Sequence, residues 1–163
     1  MKNGLACIHC WRKAPHGATR CPKCGNPITH TISERFMLDE LLALRSDVAT
    51  YKATDRREHR SVVVRILHPF AEKAVKDCFT REARFLRDFA GTGPFPEFVD
   101  YDELSSHKTF YSVVSYVKGT PLPSAALKYG PAEIMDVFFE ILDGVGKIHE
   151  KDFVCCNLQP EHI

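Results

Sequence analysis

Cys7-Ile8-His9-Cys10, a gap of ten residues, then Cys21-Pro22-Lys23-Cys24-Gly25: this stretch decides how the chain begins to fold. Two residues between cysteines let one tight turn present both sulfurs to the same metal. Two such turns joined by a short hairpin complete a tetrahedral shell of four thiolates, with Zn–S bonds of about 2.3 Å. Pro22 presets the second turn, and Gly25 lets the backbone fold back so that amides face the sulfurs. The first turn departs from this pattern, because Trp11 stands where a glycine is expected. His9 and His16 are alternative ligands at one position. About thirty residues cannot bury enough apolar surface to fold alone. A structural Zn2+ supplies the missing energy, on the order of 10 kcal/mol for such sites. With Cys7, Cys10, Cys21 and Cys24 all bound, no coordination position is left open for chemistry. Four reduced, unliganded cysteines are the competing reading.

Outward from the ribbon, the charge changes sign. Residues 1–30 hold Lys2, Arg12, Lys13, Arg20 and Lys23 and no acid, giving +5, while the remainder sets 17 Lys/Arg against 21 Asp/Glu, giving −4. The break predicts two modules with different surfaces. The positive side chains compensate the −2 of a four-thiolate zinc centre; the rival reading is a nucleic-acid contact through these cations and an exposed Trp11. The hydrophobic share of 44% is that of a packed globular chain. No stretch approaches the run of about 18 apolar residues that a membrane helix needs. Residues 1–4 lack the apolar core of a signal peptide. The remaining cysteines, Cys78, Cys155 and Cys156, are odd in number and scattered, a poor disulfide framework. A cytoplasmic setting is expected.

Past a short linker at 31–35 the pattern turns β-rich. Residues 36–38 and 49–53 suggest strands, and Ser61-Val62-Val63-Val64-Arg65-Ile66-Leu67 is a strong third. Asp55-Arg56-Arg57-Glu58 fits a hairpin loop, and His68-Pro69 a strand exit. A helix over 72–89 would place Val75, Phe79, Glu82, Leu86 and Phe89 on one face. Gly91-Thr92-Gly93-Pro94 would stop it. Cys78 reads as a small core residue of that helix. Strands follow around 98–104 and 109–117, with Asp100, Asp102 and Glu103 as a solvated loop face. A helix over 131–150, with proline in its first turn, carries Ile134, Phe138, Ile141, Val145 and Ile148 on one stripe. Val137, Phe139 and Leu142 lie off the stripe, so this helix expects cover on more than one side.

This order, together with several local strings, resembles a protein kinase of the bacterial serine/threonine type over residues 36–163. Ile148-His149-Glu150-Lys151-Asp152-Phe153-Val154 and Cys155-Cys156-Asn157-Leu158-Gln159-Pro160-Glu161-His162-Ile163 are similar to the end of a kinase helix and its catalytic loop. Val113-Val114-Ser115-Tyr116-Val117-Lys118-Gly119 resembles the hinge between lobes, and Tyr51-Lys52-Ala53-Thr54-Asp55 the strand after the glycine-rich loop. The resemblance implies an α+β fold. The zinc ribbon (1–30) and linker (31–35) would precede a kinase-like N-lobe (36–117) of five antiparallel strands and a helix. A partial helical C-lobe (118–163) would follow, ending at the catalytic-loop equivalent.

The resemblance also implies what has been lost. The three loop positions that let amides approach ATP phosphates correspond to Ala43, Arg45 and Val48. The phosphate-binding lysine corresponds to Arg65, and its helical partner to Glu82. Arginine can still pair with Glu82, with different donor geometry, and the pair reads first as a fold-stabilising one. Asn157 takes the place of the catalytic aspartate; loss of a general base costs about 10² to 10⁴ in rate. Gln159 replaces the lysine that neutralises the moving phosphoryl group. His162 replaces a Mg2+-binding asparagine, whereas Mg2+ prefers hard oxygen ligands. Cys155 and Cys156 replace the loop's His and Arg and read as buried, inert thiols. The sequence ends at Ile163, before any Asp-Phe-Gly segment. The expectation is a fragment, a truncated gene product, or a chain completed by a partner or by itself. Without its magnesium sites such a module is expected to act as a non-catalytic pseudokinase, a signalling or scaffold unit that binds protein. Residual ATP binding stays open, since Val63 and Val114 suit an adenine. A divergent or split kinase and ribbon-mediated nucleic-acid binding are the alternatives.

Overall fold

A computed structural model of the chain describes residues 4–89, 95–154 and 158–160. Two compact units divide it: Met1–Asp88 with Pro96–Tyr116, and Phe89–Phe95 with Val117–Ile163. The first unit holds the cysteine ribbon and one antiparallel sheet. Its strands are β1 (Thr31–Ile32), β2 (Phe36–Leu44), β3 (Val48–Asp55), β4 (Arg60–Leu67), β5 (Phe98–Leu104) and β6 (Thr109–Ser115), and helix α1 (Lys73–Asp88) lies between β4 and β5. The order across the sheet is β1-β2-β3-β4-β6-β5.

Among the described residues, six strands stand where five were expected. The additional one, β1, comes from residues 31–35, set aside on sequence as a linker. Thr31 pairs with Met37 and Ile32 with Phe36. The turn between them closes with the Arg35 N–H donating to Ile32 O at 3.1 Å. Its central residues, Ser33 (φ 51°) and Glu34 (φ 58°), are both left-handed. Such turns favour glycine and asparagine, so Ser-Glu gave the sequence no turn signal.

Strand period then sorts the residues between two faces. Ala49, Tyr51 and Ala53 of β3 register with Ile66, Val64 and Val62 of β4. Val64 and Ile66 in turn face Val113 and Tyr111 of β6. All of these are buried, in one cluster with Phe36, Leu38 and Leu41 of β2 and with Leu5, Ala6, Cys7, Ile8, Ala14, Cys21 and Ile28 of the ribbon. The ribbon is therefore the second layer over this face of the sheet. The opposite face carries α1: Phe79 joins Leu67 and Ala71, with Val48, Val75, Tyr101 and Phe110 packed around them. Phe79 and Ala83 are the buried residues of α1. They sit one turn apart on the same side. Cys78, expected in this core, is exposed. It lies about 100° around the helix from Phe79, which turns it away from the sheet. The expected stop at 91–94 lies outside the described residues.

Asp100, Asp102 and Glu103 belong to β5, not to a loop. Asp100 accepts from Tyr111 Oη at 3.2 Å, and Asp102 and Glu103 are exposed.

In the second unit, α2 (Leu122–Ala125) precedes α3 (Pro131–His149). Pro131 opens α3 where a missing N–H costs nothing. Glu133 Oε2 accepts from the Gly130 N–H at 2.7 Å, which satisfies one of the helix's free N-terminal donors. Of the expected stripe, Ile148 is buried and Ile134, Ile141 and Val145 are half-buried, whereas Phe138 is 50% exposed. Phe139 and Leu142 are 61% and 63% exposed. Among the described residues, no helix is long and apolar enough to cross a membrane.

Candidate functional site

The ribbon is built from two copies of one turn, fourteen residues apart. In the first, the Cys7 N–H donates to Arg12 O and the Trp11 N–H to Cys7 O, both at 2.8 Å. In the second, the Cys21 N–H donates to Asn26 O at 2.8 Å and the Gly25 N–H to Cys21 O at 2.9 Å. One step further out, the Ala14 N–H donates to Leu5 O and the Ile28 N–H to Thr19 O. Close approach at the base depends on Gly4, because a Cβ there would lie 1.8 Å from Ala14 O.

These turns bring Cys7, Cys10, Cys21 and Cys24 together, with all four Sγ atoms within 4.8 Å of one another. Cys7 and Cys24 sulfurs lie 3.6 Å apart, and those of Cys10 and Cys21 3.5 Å. Sulfurs at the corners of a tetrahedron around one ion, with bonds of about 2.3 Å, stand about 3.8 Å apart. The cluster therefore fits a single four-thiolate metal ion. Donors already face the sulfurs: the Lys23 N–H reaches Cys21 Sγ at 3.4 Å, and Asn26 Nδ2 reaches Cys24 Sγ at 3.5 Å. Neither His9 nor His16 belongs to the cluster; the His9 ring instead faces His107, with centroids 4.8 Å apart.

Protonation differs between the four thiols. The backbone N–H of Asn26 lowers Cys24 to about 6, and amides, that of Cys24 first, also lower Cys21. Burial, aided by the neighbouring Cys21 thiol, pushes Cys10 up to about 12, and burial likewise raises Cys7. The second turn thus offers thiolate readily. Binding of a metal by all four thiolates would release protons from the first turn.

Trp11 is not the free aromatic that the sequence suggested. It is half-buried, and its Nε1 donates to Arg45 O at 2.7 Å. The indole meets His68 edge-on, centroids 4.6 Å apart. Its backbone is left-handed at φ 56°, matching the 74° of Gly25 at the equivalent point of the second turn. For a residue with a Cβ this conformation costs roughly 1–2 kcal/mol.

Ala43, Arg45 and Val48, which the kinase resemblance assigned to a glycine-rich loop, lie in the β2–β3 hairpin. Ala43 pairs with Thr50, Arg45 is exposed at the tip, and Val48 is half-buried against the α1 side. The Arg45 N–H donates to Val48 O at 3.0 Å, which closes a tight turn. Arg65 and Glu82 do meet: Nη1 bonds Oε1 in an ion pair, and the guanidinium lies 5.5 Å from the Phe79 ring centre. Both side chains are partly solvated, at 28% and 43% exposure. Val63 and Val114 are cross-strand partners. Gln159 is exposed. Asn157, His162, Cys155 and Cys156 lie outside the described residues.

One buried charge escaped sequence reasoning. Asp55 ends β3 fully buried, paired with Arg35 through Nε at 2.9 Å and Nη2 at 2.6 Å. It also accepts from the Arg57 N–H at 2.9 Å. The Arg35 guanidinium first, and these amides after it, hold the carboxyl down at about 2. Its position at the head of the Arg56-Arg57-Glu58 turn was the available signal; Arg35, in a stretch read as linker, was not.

No family model matches the sequence. Among solved structures, the fold is similar to that of PpkA-294 in its apo form, with a TM-score of 0.69 and 17% sequence identity. The likeness covers 82% of this chain and 55% of the other, so this chain spans about half the length of that structure. At that identity the two share a fold, and function has to be argued from the site.

Proposed function

We propose that this chain is a zinc-braced, kinase-like module that works by binding protein and does not transfer phosphate. The observation that carries this reading is the apolar surface of α3, where Met135, Phe138, Phe139 and Leu142 are all at least half exposed. Apolar side chains clustered in this way mark a protein-contact surface. A partner protein, a second copy of the chain or further residues of a longer chain would cover it.

The nucleotide-facing positions support the same reading. Side chains at Ala43, Arg45 and Val48 deny phosphates the close backbone approach that glycines give. Arg65 is engaged by Glu82 and Phe79. Zinc is the metal that best suits four thiolates in a closed tetrahedral shell, where it holds structure and performs no catalysis.

Thermal-shift titration with ATP and Mg2+ tests the function. No magnesium-dependent stabilisation is expected; a clear shift would favour the divergent or split kinase. Size-exclusion chromatography with light scattering tests the surface: concentration-dependent self-association, or loss of partner binding in Phe139→Ser with Leu142→Ser, is expected.

A further inference from the structure

The two turns of the ribbon obey the same hydrogen-bond plan, yet they differ at one residue. At the point where both need a left-handed backbone, the second has Gly25 and the first has Trp11. Nothing in metal binding calls for a bulky side chain there, and the conformation disfavours one. What the side chain gains is outside the ribbon.

Trp11 follows the ligand Cys10 directly, and its Nε1 donates to Arg45 O at the tip of the β2–β3 hairpin. The same tip is held from the residue just after β4, where the His68 N–H donates to Asp47 O at 2.7 Å. The His68 ring stands edge-on to the indole. Leu44, just before the tip, packs on the ribbon-side core, and Val48, just after it, packs on the α1-side cluster. The hairpin tip is therefore a bridge between the two faces of the sheet, and Trp11 clasps it from the metal site.

We propose that Trp11 is the coupling residue through which the metal-loaded first turn fixes the β2–β3 hairpin, so that loading of the four-cysteine site controls the order of the hairpin beside Arg65. Zinc then acts on the sheet's α1 face from the opposite side. The indole carries the coupling in two parts: the N–H holds Arg45 O, and the ring holds His68. The left-handed backbone at Trp11 belongs to the turn that presents Cys7 and Cys10, closed by the Trp11 N–H on Cys7 O. A shared metal would hold that turn, so loss of the ion is expected to free the indole to leave the hairpin. This inference rests on the zinc reading of the cysteines. A colorimetric zinc assay on the purified full chain tests that reading separately.

Trp11 is the one tryptophan in the chain, so tryptophan emission, excited selectively above the tyrosine absorption, reports on the surroundings of this residue. Amide hydrogen exchange reports on the hairpin through the Arg45 and His68 N–H groups. In the zinc-loaded chain, Trp11→Gly is expected to keep one zinc per molecule, because glycine suits the left-handed backbone. Exchange at Arg45 and His68 should rise about tenfold, the effect of losing about one hydrogen bond. Exchange at Val63 and Val113, in the middle of the sheet, should stay within about twofold. Trp11→Phe keeps the ring and loses the N–H, and should fall between. In the unmodified chain, stepwise zinc removal by a chelator should change tryptophan emission in parallel with hairpin exchange. Unchanged hairpin exchange in Trp11→Gly would overturn the coupling. So would an equal rise across the whole sheet, loss of zinc from that variant, or emission indifferent to zinc in a chain that binds it.

Discussion

The two faces of the sheet are covered by different means. On one, Ala49, Tyr51, Ala53, Val62, Val64, Ile66 and Val113 are fully buried beneath the cysteine ribbon. On the other, Thr50, Lys52, Val63 and Arg65 are only half-buried, and α1 covers the end near Leu67 and Tyr101. A helix brings its own hydrogen bonds to the interface. The ribbon has two isolated bridges, Ala6 with Lys13 and Arg20 with Pro27, and a cysteine cluster. The better-buried face therefore lies against the element least able to fold by itself, and an ion held by the cysteine cluster would brace both.

The largest effect follows from removing that brace. Zinc withdrawal, or Cys21→Ser, should remove most of the metal's contribution to the ribbon, on the order of 10 kcal/mol, melting the ribbon, loosening the β2–β3 hairpin and lowering the melting temperature of the sheet beneath. Thermal melts by far-ultraviolet circular dichroism with and without chelator check this; an unchanged melting temperature would mean that the two faces are independent.

Next comes a contrast within one strand. Tyr51→Ala removes a ring from beneath the ribbon, where its hydroxyl reaches Ala6 O at 3.4 Å, and should cost about 3–5 kcal/mol. Thr50→Ala, its neighbour on the other face, should cost under about 1 kcal/mol. Urea melts of both variants sharpen the comparison, and equal losses would break it.

Acid should act through Asp55. Its folded carboxyl titrates at about 2, below the unfolded value near 3.9. The stabilisation is therefore complete above pH of about 5 and is lost as pH falls towards 2, amounting to about 2 kcal/mol. Thermal melts between pH 5 and 2 should show this slope (roughly the span of the titration), and Asp55→Asn should flatten it.

The smallest effect belongs to the half-covered face. Breaking the solvated pair with Glu82→Gln should change stability by less than about 1 kcal/mol. A much larger loss would show that Arg65 is held more firmly than its exposure implies.

Much of this was legible from residue order. The strand 61–67 was visible because Val62, Val64 and Ile66 recur at period two beside Val63, and β4 spans Arg60–Leu67. The stripe of Val75 and Phe79 marked α1, and Pro131 marked the start of α3. The cysteine spacing named the four residues that the fold brings within 4.8 Å. Other features left no local trace. The β1–β2 turn uses Ser33 and Glu34 in place of glycine or asparagine, so β1 stayed hidden. Cys78 looked like core because its composition is apolar, and the one-residue offset from Phe79 turned it outward.

By itself, then, the sequence determined most of the elements and the thiol cluster, because period and spacing are properties of a few consecutive residues. Only the tertiary structure decided that the ribbon lies over the buried face of the sheet, that Trp11 reaches Arg45, and that Arg35 neutralises Asp55. Each of these joins residues 20 to 45 positions apart. Such contacts depend on which face of a strand meets which turn, and no local pattern encodes that choice.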